Sequence, residues 1–167
     1  MCDEFDAKEP EIHVVTATES QDPVDFATAC FAALLEKHGY RILYCDKFKG
    51  CGLIKTVAPC HMELVFSICP EAKTIRIMHR WPLDDTVGCA NGGLNRAIEK
   101  ANADSWWHNY SLDKKDRAAA VSSYITISRQ CGAQEIMEFI DRQLSAFFEE
   151  CETTELEKYL DCKAKHT

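Results

Sequence analysis

One stretch of the chain alternates apolar and polar side chains, and it restricts the possible fold more than any other feature. Within residues 61–69 every second residue is large and apolar, namely Met62, Leu64, Phe66 and Ile68. A period of two places these side chains on one face of a β-strand. A Pro-containing turn at residues 70–73 and a second run at residues 74–81 then predict a hairpin. A connection this short requires an antiparallel sheet.

Helix and strand patterns on both sides of this hairpin complete the order of elements. Asp22 and Pro23 suit the start of a helix, and Gly39 suits its end. In chain order the patterns predict a helix over 22–38, strands over 40–46 and 51–57, the hairpin, a helix over about 89–103, strands over 105–112 and 118–129, and a helix over 132–151. We therefore predict an α+β fold in which helices pack on an antiparallel sheet, in the order α-β-β-β-β-α-β-β-α.

The length of 167 residues suits one domain. We assign residues 21–151 to that domain. Residues 1–20 are an acidic leader that could add an edge strand. Residues 152–167 form an acidic tail or helix extension, with weak anchors at Leu156, Tyr159 and Leu160.

Charge and hydropathy exclude several classes of protein. The formal net charge is −8, which disfavours nucleic-acid phosphates and anionic membrane surfaces and favours a basic partner. We find no run of about 18 apolar residues, so we expect no membrane span. The acidic start at residues 1–6 is unlike a secretory signal, and we expect a cytoplasmic protein.

Ten cysteines are many for this length, but none forms a Cys-x-x-Cys pair. We predict reduced thiols that pack as small apolar groups, with no metal and no cofactor. The best zinc candidates lack the usual short spacing between ligands; they are Cys45, Cys51, Cys60 and His61. Cys60 and His61 would point to opposite faces of a strand, which argues against a catalytic thiol.

Other groups that could carry chemistry also have simpler structural explanations. The carboxylate pairs fall in predicted loops or on a solvated helix end; they are Asp84-Asp85, Glu149-Glu150 and Asp113 with Asp116. No cleft is indicated that would shift their pKa values, so we predict that the chain is not an enzyme.

Aromatic residues supply the best candidate for partner binding. Trp106, Trp107 and Tyr110 fall on the predicted strand over 105–112. Adjacent strand residues point to opposite faces, so one tryptophan should face away from the core. Rings on a rigid strand offer large contact area at low entropic cost. The alternative is that all three rings belong to the core.

Two asparagines mark the head of the middle helix. Asn91 and Asn95 are four residues apart and therefore share a helical face. We favour a helix cap for Asn91 and a side-chain to backbone contact for Asn95 over a role in ligand binding.

Several of these stretches resemble the YbjN-like family. The run Asn91-Gly92-Gly93-Leu94-Asn95-Arg96 is similar to the family's paired asparagines at the head of the middle helix. Residues 108–113 resemble its aromatic strand and acidic turn, and residues 125–132 with the helix after them resemble its closing elements. The resemblance covers roughly residues 23–150. It implies a domain like a type III secretion chaperone, described for the family as a sensory transduction regulator, that dimerises and contacts another protein without catalysis.

These observations together predict a non-catalytic protein-binding domain, chaperone-like or regulatory, with an unidentified protein partner. An outward tryptophan and the broad apolar stripe of the last helix further predict a homodimer. The alternative is a metal-binding protein or small enzyme that depends on the cysteine and histidine set.

Overall fold

The structure is a computed structural model, and it describes residues 22–128 and 130–161. The helices are α1 (Pro23–Lys37), α2 (Gly92–Asp104) and α3 (Ala133–Thr153), followed by a 3-10 helix (Glu155–Tyr159). The strands are β1 (Arg41–Phe48), β2 (Cys51–Val57), β3 (Glu63–Cys69), β4 (Thr74–Pro82), β5 (Asn109–Asp113) and β6 (Ala118–Thr126). The predicted fold class and element order are confirmed. The possible edge strand in the leader lies outside the described residues.

The six strands form one antiparallel sheet in the order β1-β2-β3-β4-β6-β5. The predicted hairpin is β3 with β4, and its register pairs Phe66 with Ile77 and Ile68 with Ile75. β3 begins two residues later than predicted, because His61 has a φ of +67° in the turn that precedes it. β6 ends at Thr126 rather than at residue 129.

The sheet has one covered face and one open face. The covered face carries fully buried strand residues such as Ile54, Phe66 and Ile77. These pack into one cluster with apolar residues from all three helices, including Leu35 of α1, Leu94 of α2, and Ile140 and Phe147 of α3. On the open face, side chains such as Val65 and Met78 are only half-buried. A half-covered antiparallel sheet was the arrangement predicted from the strand pattern.

Helix α1 lies close against β2 because β2 carries a glycine there. The start of the helix is as predicted: Asp22 Oδ1 accepts the Val24 N–H at 2.8 Å, and Pro23 is the first helical residue. A Cβ atom built on Gly52 would lie 1.8 Å from Thr28 Oγ1. Any side chain at position 52 would therefore collide with the Thr28 side chain of α1.

A second glycine lets the end of the chain pack on α2. A Cβ atom on Gly93 would lie 2.4 Å from the Tyr159 hydroxyl. In the same segment Leu156 and Leu160 are buried, and Leu160 forms a β-bridge with Leu83. The three predicted anchors therefore all contact the domain, and Leu156 and Leu160 are core residues rather than weak contacts.

The prediction that the thiols stay reduced is wrong for two cysteines. Cys51 and Cys69 form a disulfide bond with a Cα–Cα distance of 4.6 Å. They are 18 residues apart in sequence, and the register of β2 with β3 brings them opposite each other. Spacing alone could not reveal this pair. The free cysteines among the described residues are Cys30, Cys45, Cys60, Cys89 and Cys131.

None of the helices within the described ranges is both long and apolar enough to cross a bilayer.

Candidate functional site

The two adjacent tryptophans project from a short segment between α2 and β5, residues 105–108, which we call the aromatic loop. Trp106 is 92% exposed and Trp107 is 81% exposed. The predicted strand over 105–112 is wrong for its first four residues, since β5 begins at Asn109. The tryptophans consequently do not alternate between sheet faces. Neither ring is core, and both are available to a partner.

Asn102 on the last turn of α2 closes the segment that contains the loop. Its Oδ1 accepts the Tyr110 N–H at 2.7 Å, and its Nδ2 donates to the Tyr110 carbonyl at 2.9 Å. This side-chain amide makes the pair of bonds that a neighbouring strand would make. The chain therefore leaves α2 and enters β5 at nearly the same point, and the residues between must bulge outward.

A carboxylate on α3 is hydrogen-bonded to the loop and to the strand that follows it. Glu150 accepts hydrogen bonds from the Tyr110 hydroxyl at 2.5 Å and from Ser105 Oγ at 3.3 Å. Ser105 Oγ in turn accepts the His108 N–H at 3.1 Å. Because charged acceptors strengthen such bonds, this network fixes the backbone on both sides of the tryptophans.

His108 fills the space between the loop and α3. Its side chain is buried, and its ring meets Phe147 edge-on at 4.8 Å between centroids. Nε2 lies 2.8 Å from Gln143 Oε1, within hydrogen-bonding distance. Nδ1 lies 2.7 Å from Glu150 Oε2 but outside hydrogen-bond geometry. Ring packing on Phe147 and the hydrogen bond with Gln143 therefore both hold His108, and with it the loop, against α3.

Tyr110 differs from the tryptophans with which it was grouped. It lies on β5 and is buried, with its hydroxyl on Glu150. The structure therefore brings Trp106 and Trp107 to the surface and places Tyr110 beneath them as a support. Whether the two rings bind a partner remains a prediction.

Sequence reasoning missed five of the supporting residues: Asn102, Ser105, His108, Gln143 and Glu150. Glu150 had been placed on a solvated helix end, yet its carboxylate contacts three loop or strand residues. Only one signal in the sequence could have suggested the network, the polar residues Ser105 and His108 on either side of an exposed aromatic pair.

The asparagines at the head of α2 have separate positions. Asn91 is the N-cap, and its Oδ1 accepts the N–H groups of Gly93 and Leu94 at 2.9 and 3.1 Å. The helix begins at Gly92 instead of Cys89 because of this cap. Asn95 is exposed, and its backbone N–H donates to the Asn91 carbonyl. The contact expected from the Asn95 side chain does not form with any described residue.

The candidate zinc ligands do not form a site in the fold. Cys51 is bonded to Cys69, while Cys45 lies on β1 and Cys60 with His61 lies in the turn before β3. Within residues 22–128 and 130–161, no group of three or more His, Cys, Asp or Glu side chains is arranged to hold a metal ion. Burial raises the pKa of the Cys45 thiol, and the nearby Glu36 carboxylate raises it further, so neither effect activates it.

A largely apolar hollow lies between α1 and the β3–β4 turn. Its lining includes Ala27, Ile68, Pro70 and Ile127. None of the proposed partner-binding residues contributes to it. The aromatic loop is therefore the stronger candidate site, and it is a protruding surface rather than a cleft.

Comparison with known proteins gives a likeness of fold. No family profile matches the chain, and no curated protein sequence matches it. Among solved structures, the chain is similar to the crystal structure of YbjN from E. coli, there called a candidate transcription regulator, with a TM-score of 0.51 and 13% identity. The match covers 79% of this chain and 93% of that one. At this identity the comparison establishes that the chain has a YbjN-like α+β fold.

Proposed function

We propose that this chain is a non-catalytic protein-binding domain of the cytoplasm, chaperone-like or regulatory, that contacts its partner through Trp106 and Trp107. The observation that carries the proposal is the exposure of these adjacent rings, 92% and 81%, on a loop fixed by hydrogen bonds. Large aromatic side chains dominate binding hot spots because they bury much area with few rotatable bonds. A fixed loop lowers the ordering entropy that binding must overcome.

Other features support a protein partner over other ligands. The net charge of −8 opposes nucleic-acid phosphates. The site is a projection, whereas small-molecule sites are usually concave. The YbjN-like fold is consistent with a regulatory role, since the solved neighbour is described as a candidate transcription regulator.

We also propose a homodimer. β1 is an outer strand of the sheet and has no strand partner on its outer side among the described residues. It exposes Leu43, Tyr44 and Phe48. Long apolar edge strands are sites of strand-to-strand pairing. Light scattering at micromolar concentration should give twice the chain mass of 18.9 kDa, and a strict monomer would contradict the proposal.

Affinity capture from native lysate, followed by quantitative mass spectrometry, tests whether the aromatic loop contacts the partner. The experiment compares two double variants. Trp106→Ala/Trp107→Ala removes the proposed contact, and we expect it to lose the specifically captured protein about tenfold or more, as hot-spot truncation does. The control is Phe26→Ala/Tyr124→Ala, which removes two aromatic rings that are also about half exposed or more, at 50% and 56%. The control should capture as wild type does.

Two results would reject this placement of the site. One is equal capture by the loop variant and wild type. The other is an unfolded loop variant, since exposed rings should contribute little to stability. Thermal melts of both variants must therefore accompany the capture experiment.

A further inference from the structure

Carboxylates from two helices lie beside the aromatic loop. Asp104, the last residue of α2, directly precedes the loop, and Glu150 of α3 accepts hydrogen bonds from Ser105 and Tyr110. Asp104 and Glu149 are exposed. The whole chain is also acidic, with 27 acidic and 19 basic residues. A cation near the loop therefore meets negative charge locally and from the protein as a whole.

Helix dipoles add to this field. The aromatic loop follows directly on the C-terminus of α2 at Asp104, and Glu150 lies one turn from the C-terminus of α3 at Thr153. A helix C-terminus carries about half a negative charge, which attracts cations. Two helix ends and the carboxylates thus favour a positive group beside the exposed rings.

From this arrangement we infer that the aromatic loop binds Arg or Lys side chains of a basic peptide segment in the partner. The inference rests on the proposed function, which requires only that the loop bind a protein. A cation placed over an indole face is attracted by the ring's quadrupole, and Trp is the best of the aromatic residues for this contact. The surrounding negative field raises the local concentration of a basic segment and speeds its encounter.

Other classes of ligand that bind exposed tryptophans would contact the rings but gain nothing from the negative charge. A bilayer interface also accepts tryptophan, but the anionic leaflet would be repelled by the same carboxylates. A sugar would stack on the rings but would gain nothing from the field. A basic peptide uses both the rings and the charge.

The test measures the fluorescence anisotropy of a dye-labelled Arg-rich peptide, so that removing tryptophans does not remove the signal. We expect binding that Trp106→Ala/Trp107→Ala weakens about tenfold, which corresponds to roughly 1.4 kcal/mol for two exposed cation–π contacts. Asp104→Asn should weaken it about twofold. The control Glu71→Gln makes the same change in net charge in the β3–β4 turn and should have a smaller effect.

Parallel arms use an acidic peptide of equal length, phosphatidylcholine vesicles and a linear oligosaccharide. The inference is overturned if the Arg-rich peptide does not bind, if it binds the loop variant as well as wild type, or if one of the other three probes binds more tightly through the tryptophans. These outcomes separate the two proposals. Tryptophan-dependent capture of a protein from lysate, without tryptophan-dependent binding of the basic peptide, would leave the proposed function standing and remove only this inference.

Discussion

The three tryptophans occupy two opposite environments, one in the core and one at the surface. Trp81 on β4 is 4% exposed, and its ring meets His79 edge-on at 4.9 Å. Trp106 and Trp107 are almost fully exposed in a loop. The difference lies in the backbone beneath each ring, because a paired strand sends alternate side chains into the core, whereas a loop closed by Asn102 directs its residues outward. A tryptophan in the sequence is therefore not evidence of core or of surface until its backbone is known.

The two regions are also held together by different forces. The core region relies on shape, since α1 approaches β2 so closely at Gly52 that no Cβ fits. The aromatic loop relies on directed hydrogen bonds to Glu150 and Asn102. Tight apolar packing should respond most to changes of volume, while the loop should respond to the loss of single polar atoms.

The largest expected effect separates the two tryptophan environments. Trp81→Ala should lower the free energy of unfolding by about 3–5 kcal/mol, because it leaves a cavity in the core. Trp106→Ala and Trp107→Ala should each change it by no more than about 0.5 kcal/mol. Urea unfolding of the three single variants measures this. A loss above about 2 kcal/mol in either loop variant would mean that its ring is packed and the comparison is wrong.

The next effect concerns the close approach of α1 and β2. Gly52→Ala should destabilise the protein by about 1–3 kcal/mol through overpacking against Thr28. Gly88→Ala is the matched control, since a Cβ there meets nothing within 4 Å. Adding Thr28→Ala to Gly52→Ala should restore part of the stability in a double-mutant cycle. A cycle without coupling would show that contact with Thr28 is not what destabilises the Gly52→Ala variant.

A smaller effect should appear at the loop. Tyr110→Phe removes the hydroxyl that donates to Glu150 and should lower stability by about 1 kcal/mol. Its distinctive result should be faster amide hydrogen exchange in residues 105–109, with little change in the β3–β4 hairpin. Tyr124→Phe, at an exposed tyrosine on β6, is the control. Equal exchange in both variants would argue that the hydroxyl does not order the loop.

The smallest effect is a pH dependence of the core region. Burial lowers the pKa of His79 below its ordinary value of 6.5, although a contact with the Glu63 carbonyl partly opposes this. The folded state therefore binds fewer protons than the unfolded state, so stability falls as the pH drops below about 6.5. His79→Gln should reduce the difference in unfolding free energy between pH 7 and pH 5. An unchanged difference would show that His79 does not titrate differently in the two states.

Local sequence patterns correctly predicted the elements whose apolar periodicity and capping residues agree with the helix or strand that forms. The β3–β4 hairpin and the cap and end of α1 were predicted closely, because alternation, Asp22 and Gly39 act within a few residues. The aromatic run at 105–112 predicts one strand, yet its first half is a loop. The hydrogen bond that Glu150 accepts from the Tyr110 hydroxyl joins residues 40 apart in sequence, so no local pattern indicates it.

The candidate site was only partly predictable for the same reason. Trp106 and Trp107 could be selected by residue type, but their exposure and the burial of Tyr110 depend on where α2 ends. The disulfide between Cys51 and Cys69 likewise requires the register of β2 with β3. Cysteine spacing contains no information about that register.

Periodicity, capping residues and composition are enough to predict the α+β class, the order of helices and strands, and the negative charge, because they act locally or additively. Which aromatic rings are covered and which are free depends on tertiary packing. Burial depends on contacts between residues distant in the chain, such as Glu150 with Ser105 and Tyr159 with Gly93. Such contacts form only once the helices have packed on the sheet, so they follow from the whole fold rather than from any one segment.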